Sequence, residues 1–485
     1  MGVETEFGFT PFGRDGDTLD RRLFAARLVS AVRSRNTHLT GEQDTNVFLA
    51  NGARLYIDCG AHPEYATPEC TTPEEVVACI RAGNRILEQS ARAIEATEGV
   101  ELMLYRANTD HDPQVTFGCH ESYLYHTRPQ VMARNVVPHL VTRVVYSGAG
   151  GLDAGSAGIR FLVAPRVRFV RRQTFSTHGP DRGIFHGKDE PLGGAGMHRL
   201  HVVCGESLCC EWADHLRMGA TALIVAMIDA GIEIGIDLQL EDPFAAMKRV
   251  AADVDCRTRL TLLRGRRLTA IQIQRRYLQR IREHVGAPFL PDWADRLCRR
   301  WQSTLDRLEQ DAPGMSRTLD WPLKLALFRD HAERRGFTRD RIAEINRSIT
   351  RVARNGAEPP RVDATELTAF QALRGELFEI DARFSQLGPR GVFNALDRSG
   401  VLEHRVVESD AIDNAMRNPP VRSRARHRGR VIRCLAREPR GSTCDWTRVV
   451  DQSRERVLDL PDPCGELRPQ WRSLRRRVTA DALPF

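Results

Sequence analysis

An α+β fold is predicted for this 485-residue chain by three features. Residues 2–10 (GVETEFGFT) alternate in polarity, residues 72–75 (TPEE) carry a proline-led helix start, and beyond Gly205 the pattern turns mostly helical. In the first segment Val3, Thr5 and Phe7 alternate with Glu4, Glu6 and Gly8, the period of a strand with one wet face. Glu4 and Glu6 therefore share a face, about 7 Å apart. Residues 51–70 (NGARLYIDCGAHPEYATPEC) hold the next strong strand, where Arg54, Tyr56 and Asp58 share one face and Glu64 follows after a turn. Thr72, Pro73 and Glu75 then fit a capping box with proline at the first helical position. The helix they open is expected to reach about Ala96, with Val76, Ile80, Leu87 and Ile94 on its apolar side. Further strands are expected at 101–105, 116–125, 159–163 and 199–203, and an exposed linker at 355–363. A last, Arg-rich module from about 406 contains Trp446.

Composition narrows the partners without naming them. The hydrophobic fraction of 41% and charged fraction of 28% are those of an ordinary globular protein. The net charge of +8 favours an acidic partner such as a nucleotide, nucleic acid or acidic protein. The start, MGVETEFGF, lacks the basic region and apolar run of a signal. The longest apolar stretch, 222–236, carries Asp229 and Glu233 and is too short to span a bilayer, so a buried helix is expected there. The 12 cysteines include no C-x-x-C pair, which argues against a cysteine zinc site and fits a cytoplasmic protein with reduced thiols.

Four polar clusters fall on the expected strands: Glu4 with Glu6; Arg54, Tyr56, Asp58 and Glu64; His120 with Glu121; and Arg199 with His201. Acids this close repel unless a cation lies between them. Magnesium binds through a few carboxylates plus substrate phosphates, and arginines on the same floor neutralise phosphate oxygens. The combination predicts a magnesium–nucleotide site built without a glycine-rich loop. Residues 147–158 (SGAGGLDAGSAG) match neither G-x-G-x-x-G nor a P-loop and are expected to form a flexible turn.

An ordered run of motifs is more specific than any cluster. GVETEFG, NVFLANGARLYIDCGAHPEYATPEC, ANTD, FGCHESYL, PHLVTR, KDEP, RLHVV, MGATALIVAMI, DWPLKLALF, GPRGVFNAL, NPPVRSRARHRG and CDW occur in that sequence. The chain resembles the family of the Pup–protein ligases and their sisters, the Pup deamidase/depupylases, which are similar in turn to glutamine synthetase. The resemblance implies a curved antiparallel sheet that cradles ATP and magnesium, with a small C-terminal domain beside it. It places a catalytic domain at 1–405, with extra residues at about 339–376, and the C-terminal domain at 406–485. Glu4, Tyr56 and Glu64 match magnesium positions. Arg54 and Thr67 match ATP contacts, Trp446 the tryptophan beside the nucleotide, and Asp58 the catalytic aspartate. Glu6, His120, Glu121 and His201 join the metal set, and Arg199 the nucleotide set, as residues of motifs lining the same site.

The activity so implied is ligation of a modifier's C-terminal glutamate side chain to lysines of target proteins. The modifier would be a Pup-like small, acidic, disordered protein. Two local features favour ligase over hydrolase: the extra residue in D-C-G-A-H-P-E-Y and the short interval 9–50. PECTTP and DWPLKL look more like the deamidase. Departures from the family pattern cluster at 164–166 (APR for S-Q-R), 187–191, 205–211 and 428–430. A nucleic-acid role for 421–433 (VRSRARHRGRVIR) is disfavoured because the run lacks interleaved aromatics.

Overall fold

The structure is a computed structural model and describes residues 1–41, 43–110, 115–175, 182–186, 196–355, 362–437 and 441–474. The KDEP motif at 188–191 and most of the expected linker lie outside the described residues.

The architecture is α+β, with one large sheet backed by helices. Among the described residues thirteen strands form that sheet. Its centre runs Arg182–His186, His198–Val202, Cys119–Tyr125, Gly2–Glu6, His62–Ala66, Arg54–Asp58 and Val47–Leu49. The central pairings are antiparallel. The sheet as a whole is mixed, because Val170–Phe175 pairs parallel with Arg182–His186 and Ser442–Cys444 parallel with His38–Thr40. Through that second pairing the C-terminal strands extend the main sheet.

Strand parity decides which side chains meet. Val3, Cys119, Tyr123, Tyr125, Leu200 and Val202 point into one core, against Val76 and Ile80 of the helix Pro73–Glu98 and Leu216, Leu223 and Ile224 of the helix Glu211–Asp229. Leu55 and Tyr65 enter a second core with Phe24 and Leu28 of the helix Arg21–Arg35. The opposite parity faces away from the helices and carries the polar residues.

Several local expectations hold in detail. Thr72 caps the helix Pro73–Glu98 with a full capping box, and the helix ends at Gly99 in the left-handed region. Residues 2–10 are not one strand. The chain breaks at Phe7, whose N–H bonds to Pro63 O at 2.9 Å, and Gly8–Phe12 pairs instead with Glu101–Tyr105 in a separate sheet. At 159–163 only Phe161–Leu162 is extended. The apolar stretch 222–236 is helical only to Asp229, whose carboxylate accepts from the N–H groups of His126 and Thr127 at 2.6 and 2.7 Å. No helix among the described residues is long and apolar enough to cross a membrane.

Candidate active site

The polar face of the central strands forms a track. Cross-strand register places Glu4 opposite His120, Glu6 opposite Glu64, Tyr56 opposite Glu64, and Asp58 opposite His62. Residues directly opposite lie about 4.5–5.5 Å apart, so these side chains interact directly.

At one end, the Glu4 carboxylate accepts from Arg199 Nη2 at 2.8 Å through Oε1. Its Oε2 lies 3.5 Å from His201 Nε2 and 3.8 Å from His120 Nδ1. Burial pushes the Glu4 carboxyl up, but Arg199, His120 and His201 outweigh it and hold it well below the ordinary carboxylate range. Burial lowers the His201 imidazole to about 4 despite Glu4, so its ring is neutral near pH 7.

Further along, single carboxylate oxygens of Glu6, Asp58 and Glu64 lie within 4.8 Å of one another. Burial first, then Glu4 and Glu6, raise Glu64 well above the ordinary range, although the Tyr56 hydroxyl donates to it. Burial and the Glu6 charge raise Asp58. Glu6 is itself held down to about 2, because His62, His120 and Arg166 outweigh its burial. A buried acid forced towards its neutral form by neighbouring acids marks a place where a cation would relieve strain. Gly118 permits this crowding, since a β-carbon there would sit 2.5 Å from Glu6 Oε1.

Arg54 donates from Nε to Asn46 Oδ1 at 2.7 Å and stacks over the Tyr56 ring at 4.0 Å. Its neighbour Gly52, at φ +85°, makes the tight turn that starts the Arg54 strand.

Beside Glu4 opens a cavity of about 540 Å³, lined by Gly2, Thr67, Leu124, Arg199 and Trp446 among others. Its size and mixed lining suit a nucleotide. Thr67 Oγ1 accepts from Val3 N at 3.0 Å, and Trp446 packs edge-on to Phe48 at 5.3 Å between ring centroids. Arg54 is not among the lining residues. Glu69, also in the wall, accepts from Arg424 Nε at 2.5 Å and Arg428 Nη2 at 2.6 Å. Burial opposes its charge, but these two arginines hold Glu69 down to about 2. Two arginines of the basic run 421–433 are thus buried against Glu69 of the cavity wall, which removes them from any nucleic-acid face.

One expected site residue is elsewhere. Glu121 points into the helix-packed core, completely buried, with Oε1 2.6 Å from Arg143 Nη2 and Oε2 accepting from the Tyr123 hydroxyl at 2.6 Å. Adjacent strand residues face opposite sides, so His120 and Glu121 cannot both join the cradle. Glu121 is corrected to a structural role. Three residues outside the expected set do border the site. His62 Nδ1 lies 3.3 Å from Glu6 Oε2, Asn46 holds Arg54, and the His186 ring is 5.7 Å from that of His201. His62 stands two residues before Glu64 in the same strand, whereas Asn46 and His186 reach the site only through strand pairing.

Comparison with known proteins places this geometry. The model of the family described as Pup-ligase protein matches residues 1–355 and 364–450. Pup–protein ligase 2 of Rhodococcus erythropolis is 32% identical over 494 residues, covering 99% of this chain and 98% of that protein. A depupylase of Acidothermus cellulolyticus is 35% identical over 426 residues, covering 86% of this chain and 76% of its own length. Among solved structures, the Pup ligase PafA in complex with ADP superposes with a TM-score of 0.71 at 25% identity, covering 87% of this chain and 88% of that one. A family match over nearly the whole length, joined to relatives of equal extent, is decisive: the chain belongs to the Pup-ligase protein family.

Proposed function

We propose that the protein is an ATP- and magnesium-dependent ligase. It would join the side chain of a C-terminal glutamate, on a Pup-like acidic modifier, to lysines of target proteins in the cytoplasm. The observation that carries this reading is the single track along which the nucleotide cavity, Glu4, the Glu6–Glu64 pair and Asp58 follow one another. The similarity to Pup–protein ligases and to an ADP-bound ligase supports it.

The acids fit a hard cation, because Glu64 is raised by the charges of Glu4 and Glu6 and faces Glu6 across the strand pair. Magnesium held there would offset charge on the transferring phosphoryl group. The chain's own residues supply the rest. Thr67 and Trp446 border the nucleotide, while Arg199 and Arg54 place positive charge on the polar face. In the first step the modifier's γ-carboxylate oxygen attacks the γ-phosphorus of ATP, ADP leaves, and a γ-glutamyl phosphate forms. The target lysine nitrogen then attacks the acyl carbon and phosphate departs. Lysine is protonated at neutral pH, with a pKa of about 10.4, and Asp58 takes the proton. The net charge of +8 complements an acidic, disordered modifier that orders on binding.

The direct test incubates protein, ATP, a glutamate-ending modifier and a lysine-bearing target, and follows the adduct on a gel. An ATP-dependent, higher-mass conjugate is expected. The depupylase similarity gives a second reading, favoured if the protein instead cleaves preformed conjugates or deamidates a glutamine-ending modifier. Glu64→Ala should weaken magnesium-dependent ATP binding by about tenfold or more, since charge-assisted contacts are worth about 1.5–3 kcal/mol. Calorimetry with equal affinities for variant and wild type would remove Glu64 from the metal set.

A further inference from the structure

A short β-hairpin outside the cradle carries a dense positive charge. Arg259–Thr261 pairs antiparallel with Arg267–Thr269, and the turn closes through Leu262 N–H to Arg266 O at 2.8 Å, with Gly265 at φ +76°. Leu260 and Leu262 are buried and anchor the hairpin in the main core. Its exposed positions include Arg257, Arg259, Arg264, Arg266 and Arg267. Arg249, on the neighbouring helix Pro243–Ala251, is also exposed and donates from Nη2 to Arg259 O at 3.0 Å.

These charges are not balanced within the fold. Among the described residues none of the six arginines forms a salt bridge. Asp237 feels the Arg266 charge but is already held by Arg280 through both oxygens, at 2.8 and 2.9 Å. Residues 248–267 contain seven cations against two acids, Asp253 and Asp255. The helices that follow are different. Arg275 donates to Asp306 and Glu309 at 2.6 and 2.7 Å, and Arg299 is paired with Asp295. A charge or two would blunt a strand edge. A cluster of one sign repels itself unless an acidic surface meets it.

We propose that this hairpin docks an acidic protein segment that also carries apolar side chains. Guanidinium groups match carboxylates in bidentate geometry. Leu263, in the turn, is 60% exposed. Its N–H bonds to Gln239 O at 2.9 Å, just past the turn Ile236–Leu238, where Ile236 is 40% exposed. Apolar contacts among cations suit an acidic peptide with leucine-like side chains better than a phosphate backbone. Residues 248–269 contain no aromatic side chain to stack on bases. A single turn leucine offers too little apolar face for a membrane surface. None of the hairpin residues lines the nucleotide cavity, so the inference concerns recruitment of a partner and stands apart from the ligase reading.

Fluorescence anisotropy of the full-length protein with a labelled peptide of interspersed glutamate and leucine tests this. Saturable binding that weakens as salt rises is expected, because exposed charges are screened. Combined Arg264→Ser, Arg266→Ser and Arg267→Ser should weaken it by about tenfold or more, since three exposed charge contacts are lost together. Leu263→Ser alone should weaken it several-fold, as should replacing the peptide's leucines by serine. Arg275→Ser and Arg299→Ser, at arginines already paired, should leave it unchanged. Unchanged affinity in the triple variant, equal binding of the glutamate–serine peptide, or tighter binding to duplex DNA or to phosphatidylglycerol vesicles overturns the proposal.

Discussion

Asp58→Asn lowers isopeptide formation by about 10²–10⁴-fold, the usual contribution of a positioned general base, while ATP still binds. The substitution keeps size and most hydrogen bonding but removes the charge and the basic oxygen. Asp58 closes the end of its strand opposite His62, two positions beyond Tyr56 and away from the cavity that Glu4, Thr67 and Trp446 border. Loss of its charge therefore falls on the chemical step more than on nucleotide affinity. Its environment supports the role. Burial and Glu6 raise its pKa, which makes the carboxylate a better proton acceptor than a solvated aspartate. The base form exists above that pKa, so the wild-type rate should fall on acidification earlier than an ordinary aspartate would dictate. Asp58→Asn should flatten that limb. Gel assays across pH measure both effects, and conjugation by Asp58→Asn at the wild-type rate would sink the mechanism.

The parts of the site that were legible in the sequence are those fixed by local periodicity. Glu4 and Glu6 share a face because they are two residues apart on a strand, and Arg54, Tyr56 and Asp58 do so for the same reason. The Thr72 cap was legible because its partners lie within four residues. What the pattern could not show is which strands become neighbours. Asn46 reaches Arg54, and His186 reaches His201, only through pairings that no local spacing records. The break after Phe7 was hidden because the alternation continues unbroken and the Phe7 N–H still bonds to Pro63 of the paired strand, whereas Gly8–Phe12 turns to a different partner, Glu101–Tyr105. Local spacing shows Arg424 and Arg428 only as part of a basic run; both are buried because Glu69, far away in the chain, neutralises them.

Glu121 is the instructive error, and it yields the second large expected effect. It was grouped with His120 by adjacency, but Cys119, Tyr123 and Tyr125 share its parity and all are buried. Its carboxylate is bound by Arg143 at 2.6 and 2.8 Å and lies 3.7 Å from Arg217, with both arginines nearly inaccessible. Glu121→Gln keeps the shape and removes the charge that compensates these cations. Breaking a buried pair from one side costs about 3–5 kcal/mol, so urea unfolding should shift by roughly that amount. Burial raises the carboxyl pKa, but Arg143 and Arg217 outweigh it and leave it lowered in the fold. Its stabilisation is therefore present above the ordinary carboxylate pKa and is lost as pH falls through the lowered value. In the variant this acid-dependent part should disappear, while magnesium-dependent ATP affinity of the folded protein stays unchanged. A variant as stable as wild type but weakened in metal or ATP binding would return Glu121 to the cradle, against the parity of its own strand.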